Sequence, residues 1–122
     1  MGNHRLRNHV DATLVCEEDS KLHGYAYGRN WRERAAYRFT VEATVYLQPS
    51  ATGKGRGSTL LDALLTELRK REFHSVIGGI ALPNEANVAL FRKFGFRQVA
   101  HFKEAGHKFA YWIDVYYWQL ML

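Results

Sequence analysis

At 122 residues the chain has room for one domain built on a single core. Its 47% apolar and 24% charged residues make it globular rather than disordered. A formal charge of +5 favours an anionic partner, but the basic residues are scattered and form no aromatic–basic stripe, so a phosphorylated small molecule fits better than nucleic acid.

Residues 1–9 read as a polar, basic leader, and 10–122 as the single domain. An apolar, β-branched run over 11–16 predicts a strand, and Glu17, Glu18, Asp19 and Ser20 a polar turn into a second strand over 21–27. Residues 29–36 form a charged loop around Trp31. A long strand over 37–47 follows, with Val41, Ala43, Val45 and Leu47 on one face and Arg38, Thr40, Glu42, Thr44 and Tyr46 on the other. Pro49 and Ser50 end it. Leu60, Leu61, Leu64, Leu65 and Leu68 then make the apolar stripe of a helix. The nearly all-apolar run 74–81 predicts a short central strand, buried on both faces and parallel to its neighbour. Asn84 can cap a second helix over 85–94, which Gly95 stops. Two last strands are expected over 96–103 and 109–120, with His101 and His107 flanking a turn or bulge.

Between the long strand and the first helix lies Gly53-Lys54-Gly55-Arg56-Gly57-Ser58. Backbone amides at such a junction, with the positive end of the helix dipole, can receive a phosphate. Glycine at every second position removes the Cβ atoms that would hold a diphosphate off the main chain. The Walker pattern is excluded because Gly55 follows Lys54, and the dinucleotide pattern because Ser58 stands where its third glycine belongs. Cys16 is the only cysteine, so no disulfide forms within the chain and a reducing, cytoplasmic compartment is the simplest home. No apolar run is long enough to span a membrane, and the six histidines lack metal-ligand spacing, so neither a membrane nor a metal is expected.

From about residue 10 onward the chain resembles the GNAT superfamily of N-acetyltransferases, and within it the phosphinothricin acetyltransferase branch. The resemblance is carried by Gly24-Tyr25-Ala26-Tyr27, Trp31-Arg32, Thr40-Val41-Glu42, Val45-Tyr46-Leu47, the glycine loop, Leu82-Pro83-Asn84, Phe94-Gly95-Phe96-Arg97, Gly106-His107-Lys108, Trp112, Asp114 and Trp118-Gln119. It implies an α/β (α+β) GNAT fold: a mixed, mostly antiparallel sheet with a central, splayed parallel strand pair and flanking helices. The family's opening strand and two helices have no counterpart here, so the resemblance implies a domain truncated at its N-terminus. It implies acetyl-CoA as co-substrate, a small amino acid or analogue of the phosphinothricin or methionine-sulfone type as acceptor, and a homodimer.

The same resemblance assigns Val45, Tyr46 and Leu47 to the pantetheine and acetyl group, and Gly53, Lys54, Gly55, Arg56, Gly57 and Ser58 to the pyrophosphate. Asn84 and Asn87 fall at a cofactor contact, and Trp31, Arg32 and Arg38 near the amino-acid pocket. Glu42 matches the family's glutamate and becomes the general base, since an ammonium must lose a proton before its nitrogen can attack. The chain departs from the family at three positions: Thr52 replaces Gln or Arg, Phe91 replaces a Tyr or His able to give a proton, and Ile113 replaces a common His. Thr52, Phe91 and the missing front third sustain an alternative, a truncated or degenerate domain that binds CoA or self-associates without turnover, while Ile113 weakens the case for phosphinothricin itself as the acceptor.

Overall fold

The computed structural model describes residues 12–18, 20–48, 55–80 and 85–122. Chain order is β1 (Ala12–Glu18), β2 (Lys21–Asn30), a 3₁₀ turn (Ala35–Tyr37), β3 (Thr40–Leu47), α1 (Arg56–Lys70), β4 (Ser75–Ile80), α2 (Glu85–Lys93), β5 (Arg97–Lys108) and β6 (Tyr111–Met121). The six strands form one sheet in the order β1-β2-β3-β4-β6-β5. Every neighbouring pair is antiparallel except β3 and β4. Parallel strands cannot be joined by a tight turn, and α1 supplies the crossover.

Leucines spaced one helical turn apart give α1 its buried stripe: Leu61, Leu64, Leu65 and Leu68 are fully buried. They pack against Ala26, Val41, Ala43 and Val76, the residues that alternation puts on the same face of β2, β3 and β4. Phe91 of α2 reaches that face too, stacking on Phe96 at 4.8 Å. Its ring fills the place of a side chain at Gly78, where a Cβ would stand 2.6 Å from it. Both helices therefore cover one face of the sheet. The other face carries Tyr25 stacked on Tyr27 and Tyr46, and Trp31 and Phe102 each edge-on to Tyr117.

Several boundaries move from their expected places. β1 continues to Glu18 by taking a bulge between Cys16 and Glu17, so part of the expected turn is strand. β2 runs on to Asn30, where the charged loop was expected to have begun. β3 starts at Thr40 rather than at residue 37, because Tyr37 ends the 3₁₀ turn and Arg38 caps it with its N–H donating to the Ala35 carbonyl. β5 runs through residues 104–108, passing a bulge between Phe102 and Gly106 that His101 and His107 flank as expected. The Asp114 carboxylate pins that bulge, 2.8 Å from His101 Nε2 and accepting from the Glu104 N–H at 2.9 Å. These two contacts, the histidine's first, hold the Asp114 carboxyl below its ordinary pKa. The hairpin then turns on Phe109 and Ala110, both at positive φ, the backbone of a type I′ turn without its usual Asn-Gly. α2 ends at Lys93, and Gly95 stops it with φ +91°. The leader, Pro49 and Ser50 lie outside the described residues.

Candidate active site

β3 and β4 pair over only four rows, Thr40↔Ser75 to Ala43↔Gly78. Beyond them β3 stays on β2 through Leu47, while β4 stays on β6 through Ile80. The sheet therefore opens along 44–47 into a gap between its two halves.

Main-chain direction in that stretch follows from two hydrogen bonds. Trp31 N donates to Thr40 O at 3.2 Å, and Gln48 N donates to His23 O at 2.9 Å, each pair lying one step beyond an end of the β2–β3 ladder and in its register. Antiparallel pairing alternates, so the even-numbered residues of β3 bond to β2 and the odd-numbered ones face β4. The N–H and C=O groups of Val45 and Leu47 thus face the gap past the end of the ladder, whereas Tyr46 spends its backbone on Tyr25. Of the three residues expected at the pantetheine arm, Val45 and Leu47 turn their backbone to the gap, while Tyr46 presents an exposed ring to the open face.

α1 starts beside the end of β3. Gly55 takes φ +76° as its N-cap, and a Cβ built there meets nothing within 4 Å. Thr59 N is the first amide of the helix to find its acceptor, Gly55 O at 3.0 Å. Helix geometry leaves the first-turn amides of Gly57 and Ser58 without an intrahelical acceptor. No acidic side chain lies in that turn. Lys93 Nζ arrives from α2 to donate to Ser58 Oγ at 2.9 Å, adding a full positive charge to the helix dipole. Gly57 serves packing more than ligand approach, since a Cβ there would lie 3.3 Å from Leu47 and 3.4 Å from Leu90. Arg56 opens the helix half-buried. Gly53, Lys54, Thr52 and Asn84 lie outside the described residues, while Asn87 sits half-buried on the first turns of α2.

Glu42 occupies the open face, one row before Ala43↔Gly78. Its carboxylate is mostly shielded, with 21% of the side chain exposed, and Arg29 Nε of the opposed position on β2 lies 3.4 Å away. Trp31 is half-buried at the head of the loop, and Arg32 lies flat on its ring at 3.9 Å, donating to the Trp31 carbonyl at 2.8 Å. Arg38 is not brought to this place. Its guanidinium donates to Ala35 O at 2.7 Å and covers Phe39, in the turn ahead of β3. Phe91 is buried in the core and Ile113 is buried on β6, and neither hydrocarbon side chain could give a proton.

Sequence reasoning missed Arg29 and Lys93. Arg29 stood on a stretch read as loop, where cross-strand pairing with Glu42 could not be foreseen. Lys93 reaches Ser58 across 35 residues of sequence, and only the packing of α2 over the start of α1 joins them. Among the described residues no group of three or more His, Cys, Asp or Glu could hold a metal ion, and no helix is long and apolar enough to cross a membrane.

The sequence and the fold that carry this arrangement both match known proteins. Residues 3–96 match the acetyltransferase (GNAT) family. The chain is 40% identical over 118 residues to a phosphinothricin N-acetyltransferase of Streptomyces coelicolor, covering 97% of this chain and 66% of the relative. It is 38% identical over 109 residues to the L-methionine sulfoximine/L-methionine sulfone acetyltransferase of Salmonella typhimurium, covering 89% and 64%. The structure superposes on a GNAT superfamily phosphinothricin acetyltransferase from Sinorhizobium meliloti in complex with acetyl-CoA, with a TM-score of 0.86 and 33% identity over 97% of this chain and 63% of that one. The chain spans just under two thirds of the length of these curated relatives. By sequence match and by fold, the chain belongs to the acetyltransferase (GNAT) family.

Proposed function

We propose that this protein transfers an acetyl group from acetyl-CoA to the amine of a small amino acid or analogue of the phosphinothricin or methionine-sulfone type. The observation that carries this reading is the gap beyond Ala43↔Gly78, with the main chain of Val45 and Leu47 facing into it. Bound acetyl-CoA would supply an acetyl group already activated as a thioester. The residues present fit it. Val45 and Leu47 would hold the pantetheine arm as a strand is held, by main-chain hydrogen bonds. The open Cβ position at Gly55, the first-turn amides of α1 and the Lys93 ammonium suit a pyrophosphate.

On the open face, Glu42 would take the proton of the acceptor ammonium, directly or through water, and leave a nitrogen able to attack. Arg29 holds that carboxylate in place from β2. A gap-facing strand amide, Val45 N–H being the nearest to Glu42 in sequence, would hold the acetyl oxygen as it gains charge, a contribution of roughly 3 kcal/mol in such sites. Phe91 is core, so the departing thiolate would take its proton from water.

Two finer features accompany the proposal. A homodimer is supported by the β1 edge of the sheet, where Val15 is exposed and no further strand pairs among the described residues, since such an edge invites a second chain. A cytoplasmic setting is supported by Cys16 standing alone.

The test is titration calorimetry with acetyl-CoA, followed by an assay of CoA thiol release with L-methionine sulfone and phosphinothricin as acceptors. The proposal expects saturable acetyl-CoA binding and thiol release that depends on the amino acid. Binding without acceptor-dependent release would favour a CoA-binding domain, and absence of both would remove the proposal.

A further inference from the structure

Tyr117 of β6 lies directly opposite Gly79 of β4. That row is the first beyond the last β3–β4 pair, so Tyr117 stands at the mouth of the gap. Its ring leans across the strand that has no side chain to stop it. A Cβ built at Gly79 would lie 3.1 Å from Tyr117 Cε1, 3.6 Å from Cδ1 and 3.8 Å from Cζ. The Cδ1–Cε1 side of the ring therefore covers Gly79 on β4, the strand between β6 and β3. Trp31 and Phe102 fix the ring from two sides, edge-on at 5.6 and 5.8 Å. No described residue hydrogen-bonds the hydroxyl. A half-buried phenol set by three contacts, with its donor unused among the described residues, is placed to meet a ligand in the gap.

The charges around it say what. Glu42 occupies the preceding row of the same face, beside Ile77, and would draw a cationic amine. Arg32 lies on the ring of Trp31, which itself touches Tyr117, and puts positive charge on the aromatic wall. A zwitterion matches this order, with its amine toward Glu42 and its carboxylate toward the wall.

We propose that Tyr117 is a specificity-determining residue for the acceptor, its hydroxyl donating a hydrogen bond to the carboxylate of an α-amino acid whose amine lies at the gap. The inference rests on the acetyl-transfer reading and deepens it: the enzyme selects amino acids over simple amines of the same side chain. Gly79 is part of the device, because a Cβ there would crowd Tyr117 Cε1 at 3.1 Å and shift the ring from its place.

The experiment compares the wild type with Tyr117→Phe, which keeps the ring and its packing. Acceptors are L-methionine sulfone and the primary amine left when its carboxylate is removed, and acetyl-CoA affinity is measured in parallel. The wild type should prefer the amino acid. Tyr117→Phe should lower kcat/KM for the amino acid roughly ten- to a hundredfold, as for a lost hydrogen bond to a charged group, with a far smaller change for the amine. Acetyl-CoA affinity should hold. A merely structural role would move both acceptors together, so an equal loss on both, or no loss on either, overturns the inference while leaving acetyl transfer intact. A wild type that neither binds acetyl-CoA nor acetylates either compound overturns the functional reading and this inference with it.

Discussion

At the start of β3, Thr40 Oγ1 lies 3.1 Å from Ser75 Oγ, His74 and Ser75 both donate their N–H to Phe39 O, and Val41 and Val76 are fully buried side by side under α1. Four residues further along, the same strand has lost its β4 partner and turns the backbone of Val45 and Leu47 into a gap. One end is closed by everything that stabilises a sheet. The other forgoes part of its ladder, and an unpaired main-chain donor or acceptor is tolerable only where water or a ligand can reach it. The comparison teaches that stability and binding are divided along a single strand, so substitutions at the two ends should fail in different ways.

The sharpest way to break the comparison is at the closed end. Leu68→Ala should destabilise the fold by about 2–5 kcal/mol in a denaturant titration, while the acetyl-CoA affinity of the molecules still folded stays the same. Loss of affinity in the folded fraction would show that the two ends are coupled. At the open end the order reverses: Glu42→Gln should leave the unfolding midpoint and acetyl-CoA affinity nearly unchanged and lower turnover roughly a hundredfold or more. Raising the pH should narrow that difference, since more of the acceptor is then neutral without help. Wild-type rates at every pH would mean that the base lies elsewhere.

Smaller effects sharpen the boundary between the ends. Val45→Pro removes an N–H that faces the gap and is not spent on β2, so acetyl-CoA should bind roughly tenfold more weakly by calorimetry in a variant whose circular dichroism remains native. Retained affinity would argue that the ligand does not use this strand edge. Ser75→Ala should cost about 1 kcal/mol of stability through the Thr40 hydroxyl, with no change in binding. The smallest effect belongs to neither end. The Asp114 carboxyl has its pKa depressed in the folded protein, so its contribution is present above the ordinary carboxylate range and is lost as pH falls through the folded value. The Glu104 amide resonance should report that acid transition, with the gap unaffected. An Asp114→Asn variant showing the same transition would assign it to another group.

Much of the fold was legible before any coordinates. The leucine period of α1, the alternation of β3 and the apolar run of β4 are each statements about local geometry and water, and each gave an element of the expected kind within the expected stretch. The failures were at boundaries, where tertiary contact outweighs local preference. Arg38 and Tyr37 read as strand by alternation, but a 3₁₀ turn takes them. Residues 104–108 read as connector because the pattern allows a turn or a bulge there and cannot show that the strand resumes past it, and Phe109-Ala110 carries none of the usual turn residues.

For the site, the sequence by itself determined which chemical groups are available: a glycine-rich helix entry, a strand carboxylate, aromatic and arginine side chains ahead of it, and no proton donor at Phe91 or Ile113. Only the tertiary structure decided which of them meet. Register, set jointly by two strands, turned Val45 and Leu47 toward the gap and Tyr46 away from it. Cross-strand pairing brought Arg29 to Glu42, helix packing brought Lys93 to Ser58, and a missing side chain at Gly79 let Tyr117 lie over the mouth of the gap. Composition and period report how each residue treats water and its near neighbours. Partners distant in sequence depend on how whole strands and helices settle against one another, and no single segment contains that information.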